Sequence, residues 1–129
     1  MQIHHIAITA REVPLVASFY ETVLGLRRIR EQSDSSGLRS VWLDLAGAIL
    51  MIERADRTAA PVGSFHERPP GYYLLAFRIA KEERESYIAK FAEKRVPVVY
   101  STDFTIYILD PERNRIGLSF YEMDLDGAR

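Results

Sequence analysis

Met1-Gln2-Ile3-His4-His5-Ile6-Ala7-Ile8-Thr9 opens the chain, and a near copy of its pattern, Gly71-Tyr72-Tyr73-Leu74-Leu75-Ala76-Phe77-Arg78-Ile79, returns halfway along. Each run is short, apolar and compatible with a β-strand. Each leads into a segment of helical periodicity and then into further strand-like runs that end in a turn-linked pair. A chain that writes one unit twice has its fold constrained more tightly than any single motif could constrain it. The expected fold is α+β, one domain over residues 1–129 built of two tandem βαβββ modules. Module one spans about 1–54, a linker 55–70, and module two about 71–122.

Working outward, residues 3–9 alternate with period two, which puts Ile3, His5, Ala7 and Thr9 on one face and His4, Ile6 and Ile8 on the other. Val16, Phe19, Tyr20, Val23 and Leu24 follow at the spacing of a helix face, with Pro14 suited to the first turn and Gly25 to a left-handed stop. Strands are expected over 26–31, 38–45 and 48–53, with a polar loop at 32–37 and a tight turn at Ala46-Gly47. Ile49, Met51 and Glu53 share one face of the last of these. In module two the first strand covers 72–79, and a helix from about Lys81 carries Tyr87, Ile88, Phe91 and Ala92 as its apolar stripe. Val96, Val98 and Val99 make a short strand that Pro97 confines to a sheet edge or a strand start. Strands at 104–109 and 115–121 flank the turn Asp110-Pro111-Glu112-Arg113-Asn114, and a polar tail is expected to fray. The linker holds His66 and several prolines; it reads as a connector able to fold over a binding site.

The whole chain of 129 residues is 47% hydrophobic, enough for a real core. A formal net charge of −1 gives no electrostatic case for nucleic acid or an anionic membrane surface. The absence of cysteine removes disulfides and thiolate chemistry. No signal-peptide pattern and no membrane-length apolar run is present. The expectation is a soluble, cytoplasmic protein whose partner is a small organic molecule.

The element order, together with His4-His5-Ile6-Ala7-Ile8, Ser18-Phe19-Tyr20-Glu21-Thr22-Val23-Leu24-Gly25-Leu26 and Asp110-Pro111-Glu112-Arg113-Asn114-Arg115-Ile116, resembles the vicinal oxygen chelate superfamily. That superfamily holds glyoxalase I, extradiol dioxygenases, fosfomycin resistance enzymes and bleomycin-binding proteins. The resemblance implies that the modules curl a mixed sheet into a cup with helices outside and any active site within, and that the chain forms a homodimer. It also implies four inward-facing metal-ligand positions: one on the first strand of each module, usually His, and one on the last strand, usually Glu, Gln or His. Here they fall on His5, Met51, Leu74 and Gly117.

Three of these four supply no donor, and a divalent metal needs several converging ones. Shifting the fourth strand by two residues brings in Glu53, so His5 with Glu53 is the one candidate metal pair. Tyr72, Ser119 or Tyr121 would have to complete it. The reading is therefore a small-molecule binding protein of the glyoxalase/bleomycin-resistance type with a degenerate, metal-free cup and no cofactor. Met51, Leu74, Gly117 and Ala7 give the cup its apolar surface, and His5, Glu53, Ser119 and the aromatic Tyr72, Tyr107 and Tyr121 give it polar groups. The alternative is a glyoxalase-like lyase, isomerase or dioxygenase. It would use His5 as general base with a tyrosine as acid, or with divalent Zn, Ni, Mn or Fe.

Plainer roles compete at each position. His5 can be a satisfied cup histidine, Glu53 a solvated strand end, and the tyrosines core filling. Arg78, on the face of the His5 equivalent, calls for a carboxylate partner or an open cavity mouth. His66 reads as exposed. Asp110 and Asn114 have an ordinary task as turn residues. No nucleophile elbow, phosphate loop or metal-binding helix motif is present.

Overall fold

The computed structural model describes residues 2–55, 65 and 72–122. Met1, most of the linker with His66, Gly71 and the tail from residue 123 lie outside the described residues. By internal contacts the chain divides into two units, Met1–Val62 with Asp110–Arg113, and Gly63–Leu109 with Asn114–Arg129.

The first unit contains β1 (His5–Ala10), α1 (Val13–Thr22), β2 (Arg28–Asp34), β3 (Gly37–Asp44) and β4 (Ile49–Arg54). The second contains β5 (Leu75–Arg78), a 3-10 turn (Lys81–Glu83), α2 (Arg84–Glu93), β6 (Tyr100–Ser101), β7 (Thr105–Leu109) and β8 (Arg115–Ser119). Each unit has its own four-stranded mixed sheet, ordered β1-β4-β3-β2 and β5-β8-β7-β6. The first and last strands of each module run parallel and the other pairs antiparallel. The same βαβββ topology is thus written twice, as the duplicated sequence predicts.

Alternation decides which side chains form the cores. In the first sheet Ile6 and Ile8 pair with Leu50 and Ile52, which pair in turn with Leu43 and Val41. This face meets α1, whose Val13, Val16, Ala17 and Tyr20 are buried. Burying such a side chain contributes about 1.5–3 kcal/mol, which is what holds a helix of this length in place. Gly25 sits at φ 72° beyond the helix, and the Leu26 N–H reaches the Tyr20 carbonyl at 3.0 Å, closing α1 with a left-handed cap. In the second sheet the equivalent face carries Ile106, Ile108, Ile116 and Leu118, all essentially buried. On α2, Phe91 is fully buried, Tyr87 and Ile88 are half-buried, and Ala92 is exposed.

The structure departs from the sequence expectation at several elements. β2 runs on through Gln32 and Ser33 to Asp34, and the turn shrinks to Ser35-Ser36. An edge strand with solvent on its outer side needs no apolar alternation, so its polar half read as loop. Val96 and Val98 lie in no strand. Pro97 cannot donate to a ladder, and pairing begins with the Val99 N–H on the Tyr107 carbonyl at 2.9 Å, ahead of the two-residue edge strand β6. His4 precedes β1, so alternation does not bind it. Its Nδ1 lies 2.9 Å from Nδ1 of His5, where opposite faces were expected.

The turn after β7 is pinned by a buried polar pair. Asp110, 3% exposed, accepts the Tyr20 hydroxyl at Oδ2 (2.8 Å) and the Glu112 N–H at Oδ1 (2.9 Å). Burial and the neighbouring carboxylate push the Tyr20 hydroxyl well above its ordinary pKa, so it stays a donor throughout the physiological range. Tyr20→Phe leaves a buried carboxylate short of one donor and is expected to cost about 1–3 kcal/mol in urea denaturation. An unchanged midpoint would show that the pair contributes nothing.

Elsewhere in the same unit, Arg54 donates two hydrogen bonds to Asp34 at 2.8 and 3.0 Å and a third to the Gly37 carbonyl. The Arg54 bonds and then the Ser36 N–H hold the Asp34 carboxyl below the usual carboxylate range. A lowered native pKa means that this contribution is complete above the unfolded value and fades as pH falls through the folded one. The stability difference between the parent and Arg54→Gln is therefore expected to be complete at neutral pH and to shrink as pH falls below the ordinary aspartate value of 3.8. A difference independent of pH would refute the assignment.

Candidate functional site

The face of the first sheet turned away from α1 carries His5, Ala7 and Thr9 on β1, Ile49, Met51 and Glu53 on β4, and Ser40 and Trp42 on β3. Ala7 pairs with Met51, which also pairs with Trp42; Thr9 pairs with Glu53, which also pairs with Ser40. The Trp42 indole N–H donates to Ser40 Oγ at 3.0 Å, and Ser40 donates to Glu53 Oε1 at 2.7 Å. The Arg30 guanidinium lies over the Trp42 ring, 4.7 Å from its centroid. Glu53 is therefore a hydrogen-bonded member of a side-chain chain across the sheet, and Trp42 and Ser40 are site residues that sequence reasoning did not single out. Their mark in the sequence is alternation within 37–44, where Ser40 and Trp42 fall opposite Val41 and Leu43.

His5 is exposed and pairs with Ile49. Glu53 lies four residues further along β4, and at about 3.3 Å rise per residue the two are separated by about 13 Å along the strands. Metal ligands must converge to about 2 Å from one ion, so His5 and Glu53 cannot share one in this register. Glu53 was the shifted-register candidate, and the observed pairing of Met51 with Ala7 removes the shift.

The second sheet repeats the arrangement. Ala76 pairs with Gly117 as Ala7 does with Met51, so Leu74 and Gly117 hold the places of His5 and Met51. A Cβ built on Gly117 would lie 3.5 Å from Leu74 Cδ1, 3.5 Å from Ala76 Cβ and 3.4 Å from Thr105 Cγ2. These are ordinary contacts, and all three neighbours are hydrocarbon. Tyr107 pairs with Gly117 on the same face, and Ser119 Oγ accepts from Thr105 Oγ1 (2.8 Å) and the Tyr121 N–H (3.2 Å), so both are committed to the sheet. Tyr72 stands fully exposed ahead of β5. Tyr121 lies past the end of β8 in a cleft of about 890 Å³ that Arg78 also lines. That is the open mouth which an arginine at this position required. Among the described residues no three of His, Asp and Glu gather as a metal-holding group.

One arrangement on this face was not legible beforehand. Arg115, 6% exposed, donates from Nε and Nη2 to the Phe65 carbonyl at 3.0 and 2.9 Å. Its guanidinium lies over the rings of Tyr73 (4.4 Å) and Phe65 (5.6 Å). Phe65 packs in turn on Tyr100 and Tyr107, with centroids 6.0 and 5.8 Å away. A linker residue thereby covers part of the face, as the sequence allowed; a lone aromatic in a segment rich in proline was its one signal. Asp110 serves the turn and Tyr20, as described above.

Residues 2–118 match the model of the Glyoxalase/Bleomycin resistance protein/Dioxygenase superfamily, and the chain belongs to that family. Similar solved structures include a lactoylglutathione lyase from Agrobacterium tumefaciens, 20% identical, covering 92% of each chain with a TM-score of 0.68. A glyoxalase/dioxygenase from Nostoc punctiforme is 21% identical, covering 91% of this chain and 88% of its own, with a TM-score of 0.74. The fosfomycin resistance protein FosX from Listeria monocytogenes is 19% identical, covering 99% and 97%, with a TM-score of 0.75. At such identities the likeness establishes the fold alone. No curated protein matches the chain significantly.

Trp42 is the single tryptophan, so its fluorescence reports on the first sheet's open face. Ser40→Ala removes the acceptor of the indole N–H and the donor to Glu53. It is expected to shift the emission maximum and to lower stability by about 1–2 kcal/mol. An unaltered spectrum would show that the Trp42-Ser40-Glu53 chain is not formed in solution.

Proposed function

We propose that this chain is a small-molecule binding protein that holds a partly apolar organic ligand without a metal. The observation that carries the reading is the pair Leu74 and Gly117. At the positions where metal-dependent relatives are expected to present donors, module two offers an isobutyl group lying over a hydrogen. Module one offers His5 beside a thioether, and Glu53 is out of reach along the strand and already bonded to Ser40. Such a donor set suits desolvation and shape recognition, not chelation.

A second reading has one observation in its favour. The Nδ1 atoms of His4 and His5 approach to 2.9 Å, so one ring carries a proton toward the lone pair of the other. An exposed pair of this kind can act as a general base, and an enzyme using His5 without a metal would need no more than a properly placed acid.

Protein purified without chelator is expected to hold no stoichiometric nickel, zinc, manganese or iron, and these ions should shift the melting temperature by less than about 1 °C. Leu74→His combined with Gly117→Glu restores two donors on adjacent strands and is expected to create a nickel- or zinc-dependent shift of a few degrees. Stoichiometric metal in the parent chain, lost on His5→Ala, would overturn the proposal.

A further inference from the structure

The cleft beyond the ends of β5 and β8 differs in chemistry from the sheet face. Three rings form part of its wall. Phe104 meets Phe120 and Tyr121 edge-on, with centroids 5.6 and 5.2 Å away. Phe104 and Tyr121 are 45% and 59% exposed, a large apolar surface for a globular protein to leave in water. Arg78 and Lys81 line the same cleft, and among the described residues neither side chain has a hydrogen bond or ion pair. A third cation stands behind the wall. The Arg84 guanidinium lies 5.9 Å over Phe120 and donates from Nη2 to the Thr102 carbonyl, while its buried Nη1 has no partner among the described residues. At about 890 Å³ the cleft has the size of a site for a small organic molecule.

We propose that this cleft binds an aromatic monoanion of the arene carboxylate class, with the ring against Phe104 and Tyr121 and the carboxylate on Arg78 and Lys81. Guanidinium and ammonium groups without partners favour an anion, and a planar guanidinium suits a carboxylate in particular. The exposed rings favour a flat apolar body that covers them. Glu82 and Glu122 also line the cleft, and their charge disfavours a dianion such as an aryl phosphate. This inference rests on the reading of the chain as a metal-free binding protein and names the class of ligand that such a protein would take.

The test is calorimetric titration in EDTA with 2-naphthoate, its neutral carboxamide, naphthyl phosphate and inorganic phosphate, using the parent chain, Arg78→Gln and Phe104→Leu. The expected result is that naphthoate binds at least about tenfold more tightly than the carboxamide or either phosphate. Arg78→Gln should remove that preference, and Phe104→Leu should weaken naphthoate and carboxamide alike. Equal affinity for naphthoate and carboxamide, or unaltered naphthoate binding in Arg78→Gln, would overturn the inference. If neutral aromatic molecules bind and naphthoate does not, this inference fails while the metal-free reading stands. If naphthoate binds only after nickel is added, and His5→Ala rather than Arg78→Gln abolishes it, both fail.

Discussion

A pleated strand sends successive side chains to opposite faces, and each module supplies one helix for four strands. That constraint organises the rest of the structure. One face of each sheet takes Ile, Leu and Val in adjoining strands and becomes core; the other is free to carry polar, small and aromatic residues without cost to the hydrophobic interior. In the first unit the core face meets α1. The face turned away holds His5, Met51, Trp42 and the Ser40-Glu53 hydrogen bond. Function has room to drift on that second face because the hydrophobic core is built on the other.

The helix motif and the turn motif both serve the fold. Tyr20, from the helix motif, and Asp110, from the turn before β8, meet in a buried hydrogen bond within the first unit. Asp110, which the sequence reads as a turn residue, accepts both the Tyr20 hydroxyl and the Glu112 N–H.

At the register-equivalent positions of the two modules, Met51, Leu74 and Gly117 present a thioether, an isobutyl group and a hydrogen. A Cβ on Gly117 would rest in ordinary contact with Leu74, Ala76 and Thr105. Phe65 and Arg115 cover a further part of the second sheet, with the guanidinium held between aromatic rings and a backbone carbonyl. The chain therefore has the topology of the glyoxalase/dioxygenase superfamily, and these residues set the chemistry of its sheet faces.

Duplication, alternation and helix periodicity were legible in the linear chain because each is a local repeat: His5, Ala7 and Thr9 share a face, Tyr20 is buried and Gly25 ends a helix for reasons contained within a few residues. The family-equivalent positions on Met51, Leu74 and Gly117 were what the resemblance to the superfamily implied, not a reading of local repeats. Tertiary structure decided what depends on register and on distant neighbours. It placed Glu53 opposite Thr9 and Ser40 and so too far from His5 to share an ion. It turned His4 toward His5, carried β2 through polar residues along a sheet edge, and set Phe65 on Arg115 across fifty residues of chain. Periodicity fixes which way a side chain points, while pairing between strands fixes what it meets, and a sequence read along its length contains the first of these and not the second.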